Sequence, residues 1–182
     1  MVAIGMALLF LGLGCKSEVL PKPKAMLRLD YPSADYVLTD PACAYSFERN
    51  AISRTKLGKD CSMVLDYPDM KGAIYLTYKA VDGNLDTLIR DAQKLSYEHV
   101  VKADNILPYP FENPDAGVYG MFYEVSGNAA SPSQFYVTDS TGHFLTGSLY
   151  FHSKPNYDSI LPAAVYLQQD IRRLMESLQW NR

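Results

Sequence analysis

The sequence predicts an α+β fold, an antiparallel β-sheet with two main amphipathic helices packed on it. Three observations carry that expectation. Residues 118–151 hold three strand-like runs with alternating side chains, and two longer stretches, 85–103 and 160–178, repeat apolar residues at helical spacing. The resulting order of strands, helix, strands, helix lacks the strict alternation of a parallel sheet.

Residues 1–14 carry no charge and run straight into Cys15, the pattern of a secretory signal peptide. An apolar run this short does not span a bilayer, which takes about 20 residues. The ending LGLGC matches a lipobox with Gly12 where leucine is usual, so Cys15 is the expected lipidation site. A plain cleaved signal or a buried N-terminal strand are the other readings of the run. No Lys or Arg precedes it, which fits a translation start further upstream. Two or more acyl chains on Cys15 would hold the protein at a membrane, where a single chain is marginal.

Residues 15–25 then read as a tether, because LPKPK favours an extended polyproline segment that joins neither a helix nor a central strand. Residues 26–182 are one domain's worth of chain, enough to bury a real core. The formal charge of -3 and pI near 5.6 argue against a nucleic-acid partner, which would need a basic patch. Of the three cysteines, assigning Cys15 to lipid leaves Cys43 and Cys61 as an even pair in a compartment that permits disulfides. A bridge between them is expected, with two buried free thiols as the alternative. There is no CxxC and no Cys/His metal set.

Short strands are expected at 26–31, 44–48 and 62–66, the last two joined by a polar segment at 50–60. A turn at 67–72 precedes a better strand at 73–79, where Ile74, Leu76 and Tyr78 alternate with Tyr75, Thr77 and Lys79. Asp82, Gly83 and Asn84 break that strand and offer a helix cap. Leu85, Leu88, Ile89, Ala92, Leu95, His99 and Ala103 then predict an amphipathic helix of about five turns. Pro108, Pro110 and Pro114 predict an irregular crossing to the central strands. These strands run at 118–125, 134–138 and 144–151, and Asp139-Ser140-Thr141-Gly142 closes the last two as a hairpin, with the glycine suited to positive φ. Asn156 or Asp158 caps the second helix, whose first turn tolerates Pro162. Its buried stripe is Ile160, Leu161, Ala164, Leu167, Ile171, Leu174, Met175 and Leu178.

No catalytic constellation stands out. His99 lies on the apolar stripe of the first helix, and His143 and His152 are an odd number of residues apart, so strand geometry points them to opposite faces. Asp139 and Ser140 beside His143 are explained by turn formation more simply than by a triad. Glu112, Asp115 and Glu124 fit solvated loop and strand-edge roles. Nucleotide loops, the serine elbow, the H-E-x-x-H zinc motif and calcium-loop spacing are absent. The fourteen tyrosines suit half-buried strands, and a stacking surface for sugars or peptides is the alternative reading. The small, polar loop 127–132 lies beside these strands. Gly127, Asn128, Ser131, Gln134 and Tyr136 are therefore the candidate partner-binding residues.

A succession of words gives a sharper expectation: LPKPK at 20–24, CAYSFE at 43–48, AIYLTYK at 73–79, DAQKL at 91–95, YGMFYEVSGNAAS at 119–131, QFYVTDS at 134–140, LTGSLYF at 145–151 and PNYDSILPA at 155–163. In this order they resemble the gliding-motility lipoprotein GldD family of Bacteroidota. The resemblance implies a non-enzymatic component without a cofactor, anchored to the membrane through the lipidated cysteine that Cys15 matches. It also implies a link to type IX secretion, with other envelope lipoproteins of that apparatus as partners, one of them stabilised by this protein. Lys16, Ser17 and Glu18 do not form the acidic run that resembles surface-export signals, so the expected location is the outer membrane facing the periplasm. The element order further resembles the PsbP/Mog1-type sandwich, as a fold analogy only. An envelope glycan- or lipid-binding module is the alternative function.

Overall fold

The computed structural model describes residues 30–39, 43–98, 102–152 and 156–181. The described strands are β1 (Tyr36–Leu38), β2 (Tyr45–Ser46), β3 (Glu48–Asn50), β4 (Arg54–Leu57), β5 (Met63–Tyr67), β6 (Gly72–Ala80), β7 (Ala103–Asn113), β8 (Val118–Gly127), β9 (Ser133–Thr138), β10 (His143–Phe151) and β11 (Gln179–Trp180). Helix α1 (Leu85–Tyr97) follows β6, and helix α2 (Tyr157–Ser177) follows β10. Seven strands form one antiparallel sheet in the order β4-β5-β6-β10-β9-β8-β7, so the architecture is the expected α+β.

Period-2 alternation divides the core between the two faces of this sheet. On one face Leu65, Ile74, Leu76, Phe122, Phe135, Val137, Leu145 and Leu149 pack against Leu167, Ile171, Leu174 and Met175 of α2. Tyr123, Tyr136 and Phe144 on the other face pack beneath Leu88 of α1. Close strand packing also fixes two glycines: a Cβ on Gly120 would meet the Tyr136 carbonyl at 1.9 Å, and one on Gly147 would strike the Phe135 ring.

Several sequence expectations need correction. The predicted strand at 44–48 splits around the buried Phe47, because β2 pairs with the C-terminal β11 while β3 pairs with β1. Asp30 and Tyr31 are not in a strand, and the rest of that predicted segment lies outside the described residues. The polar 50–60 segment contains β4, an edge strand exposed at all four positions, so no alternation marked it. Helix α1 is shorter than predicted: it ends at Tyr97, His99 lies outside the described residues, and Ala103 already belongs to β7.

The proline stretch is an 11-residue strand instead of an irregular crossing. Among the described residues β7 pairs only with β8, and Pro108 and Pro110 are two residues apart, so both lack their N–H on the same, unpaired side. Pro114 begins a tight turn closed by Gly117 at φ 61°. In the hairpin after β9 it is Ser140, at φ 68°, that takes the left-handed conformation in place of the glycine. Asn156 is the N-cap residue of α2, and Pro162 lies one turn further in than expected.

Candidate interaction site

Strand β8 ends at Gly127, whose φ of 94° and close approach to the Asp104 backbone leave no room for a side chain. Asn128 is exposed, and its Oδ1 accepts the Tyr157 N–H at 3.0 Å, joining the loop to the start of α2. The other three candidate contact residues are inside. Ser131 is fully buried and donates to the Ser133 carbonyl at 3.0 Å. Buried Gln134 accepts the Ser96 hydroxyl of α1 at 2.9 Å, and buried Tyr136 stacks on Phe144 with ring centroids 5.7 Å apart. Sequence polarity suggested an exposed loop, but Ser131 turns inward onto the backbone, and α1 covers Gln134, whose Oε1 is engaged by Ser96 while its Nε2 has no partner among the described residues. Of the five, Asn128 alone has its side chain in solvent.

Cys43 and Cys61 are disulfide-bonded, with Cα atoms 5.5 Å apart. The bridge ties the entry to β2 to the start of β5. The Tyr45 hydroxyl donates to the Cys61 carbonyl at 2.7 Å, and Asn181 Nδ2 donates to the Cys43 carbonyl at 2.8 Å. Cys15 and the tether lie outside the described residues.

The groups that looked most like chemistry are engaged in packing. His143 Nδ1 is hydrogen-bonded to the Tyr78 hydroxyl at 2.8 Å, and its ring stacks on Trp180. Asp139 accepts the backbone N–H groups of Thr141, Gly142 and His143 together with the Thr141 hydroxyl. Burial pushes its carboxyl up, but those backbone donors outweigh it and hold the pKa down at about 2. His152 is 3.8 Å from Asp66, on the far side of the sheet from His143. Among the described residues no group of three or more His, Cys, Asp or Glu side chains converges as a metal site.

Asp170, on the buried stripe of α2, was missed by the sequence reading. It is 4% exposed and accepts the Tyr36 hydroxyl at 2.8 Å and Asn50 Nδ2 at 3.2 and 3.1 Å. Burial raises its pKa, and these donors oppose the rise. One turn earlier, the Tyr166 hydroxyl accepts from Asn50 Nδ2 and donates to the Pro32 carbonyl. This network fastens the entering chain to α2.

What remains for a partner is the surface. A groove of about 530 Å³ runs between the entering chain and the start of α2, lined mainly by Tyr31, Met70, Phe151, Ile160 and Ala163. Elsewhere β7 exposes Leu107 and Tyr109, and Arg172 lies beside Tyr109, its guanidinium 4.4 Å from the Phe122 ring centroid and 3.9 Å from Glu124. No helix of the described residues is long and apolar enough to cross a membrane.

The fold and the site define a disulfide-stapled α+β domain in which His143, Asp139 and Asp170 are engaged in hydrogen bonds within the fold. The chain matches the gliding motility lipoprotein GldD family model over residues 16–180, and it belongs to that family. It is thus a gliding-motility lipoprotein, lipid-anchored in the cell envelope. Curated proteins give no match to it.

Proposed function

We propose that the protein is a non-enzymatic assembly factor of the gliding and type IX secretion apparatus that stabilises a partner lipoprotein. Lipidation of Cys15 would hold it at the outer membrane, facing the periplasm. The observation that carries this reading is the family match over residues 16–180. The engagement of His143, Asp139 and Asp170 in packing supports it, because each is already committed to the fold. Exposed Leu107, Tyr109 and Arg172 have the side-chain chemistry that dominates protein interfaces, and Asn128 is the exposed member of the predicted loop.

Deleting the gene tests the reading. The partner lipoprotein should fall in abundance while its transcript stays level, and type IX cargo should accumulate inside the cell. Normal partner level and normal secretion in the deletion strain would end it. A second reading, an envelope glycan- or lipid-binding module, is favoured by the groove beside Tyr31 and Phe151. Saturable binding of a defined glycan or phospholipid that Phe151→Ala abolishes would select it.

A further inference from the structure

The two edges of the main sheet differ in what they offer a further strand. On the β7 side Pro108 and Pro110 remove two N–H donors from the outward row, so an incoming strand finds acceptors without matching donors. On the β4 side nothing is removed. The Gly58 N–H donates to the Ser62 carbonyl at 2.7 Å, which sets the phase of the antiparallel β4–β5 ladder. Hydrogen-bonded and non-bonded pairs alternate, so Arg54 and Lys56 bond inward to β5. Thr55 and Leu57 therefore turn their N–H and C=O groups outward.

Side chains on β4 are sorted by face. Arg54 and Lys56 lie on the face of Asp66 and Val64, while Thr55 and Leu57 lie on the face of Leu65 and Met63. All four are exposed, Leu57 by 58%. Lys56 pairs with Asp66 at 3.0 Å, and Arg54 has no ion pair among the described residues; both sit at the edge of a chain whose net charge is -3. A second copy does not fit here. Antiparallel self-pairing would set Arg54 against Lys56 or either residue against itself, and like charges directly opposite are destabilising.

Resting on the assembly-factor reading, we propose that the β4 edge is where the partner docks, by adding an extended strand that alternates acidic and apolar side chains. Its main chain pairs with Thr55 and Leu57, its carboxylates face Arg54 and Lys56, and its apolar side chains cover Leu57. The same basic residues guard the edge against self-association, so one feature both excludes like edges and admits an acidic one.

The test uses the full-length lipoprotein in detergent with its disulfide intact, probed with a blocked peptide of alternating glutamate and valine. Amide exchange at Thr55 and Leu57 should slow about tenfold when the peptide is at nine times its Kd. The β7 amides should not respond. A lysine-valine peptide should give no protection, and a central proline in the acidic peptide should abolish it. The double variant Arg54→Glu, Lys56→Glu should still fold, with a lower Tm because both glutamates face Asp66, and should reverse the preference between the two peptides.

Absence of protection, or equal protection by both peptides, overturns the proposal. So does concentration-dependent protection without peptide, which would assign the edge to a second copy. In cells the double variant should lower partner abundance as the deletion does. Normal abundance with the double variant but a fall in the deletion strain rejects this edge and leaves the assembly reading standing; no fall in either rejects the assembly reading.

Discussion

The Asp139 carboxylate accepts four hydrogen bonds within one hairpin turn. Its pKa of about 2 lies below the ordinary 3.8, so the charged form stabilises the fold. That contribution is fully present above about pH 4 and is lost as the pH falls through 2. Asp139→Ala should cost about 1 to 2 kcal/mol at neutral pH, since it removes the charged acceptor of four hydrogen bonds in a turn that is exposed to half-buried. Unfolding curves at pH 7 and pH 2.5 check this: the gap between wild type and variant should narrow at the lower pH. The turn was legible in the sequence because all its partners lie within four residues. Asp170 was not legible, because Tyr36 and Asn50 reach it from across the chain and helical periodicity marked its position only as interior. The positive φ was assigned to Gly142 on propensity alone, whereas side-chain bonds from Thr138 and Asp139 support it at Ser140.

The central strands β6, β8, β9 and β10 lie within a residue or two of the expected bounds, because their aromatic and aliphatic runs are set off by turn residues. Edge strands write no such pattern. Strand β4 is exposed on both faces, and β7 carries prolines that would be prohibitive in a central strand and are harmless on an outer row. The candidate loop was misjudged for a related reason: Ser131 and Gln134 are polar yet buried, and single-sequence polarity does not reveal that their hydrogen bonds are internal. The disulfide was legible from cysteine arithmetic and links residues 18 apart. Replacing both Cys43 and Cys61 by serine should cost about 3 kcal/mol by the loop-entropy argument. For a chain of this size that corresponds to a fall in Tm of about 6 to 12 °C. Calorimetry of the double variant checks it, and wild type in reductant should move the same way.

At the scale of the whole molecule, anchorage and fold meet where the chain enters. Tyr166 holds the Pro32 carbonyl and Asp170 holds Tyr36, so any load on an N-terminal lipid would pass directly into α2 and the body of the sheet. The sequence-predicted tether, extended from residue 16 to 24, reaches about 28 Å at ~3.1 Å per residue. A domain kept that close to a bilayer meets partners anchored in the same leaflet at high effective concentration. The anchor should therefore matter to function more than to folding. Cys15→Ala should move the protein from the membrane to the soluble periplasmic fraction, leave its Tm unchanged, and lower partner abundance toward the level of the deletion strain. Fractionation, calorimetry on the purified variant and immunoblotting of the partner separate these three effects. Membrane retention of the variant would refute the anchor at Cys15. Digestion of the wild-type protein by protease added to whole cells would refute the periplasm-facing orientation, because a domain on the inner side of the outer membrane is shielded from it.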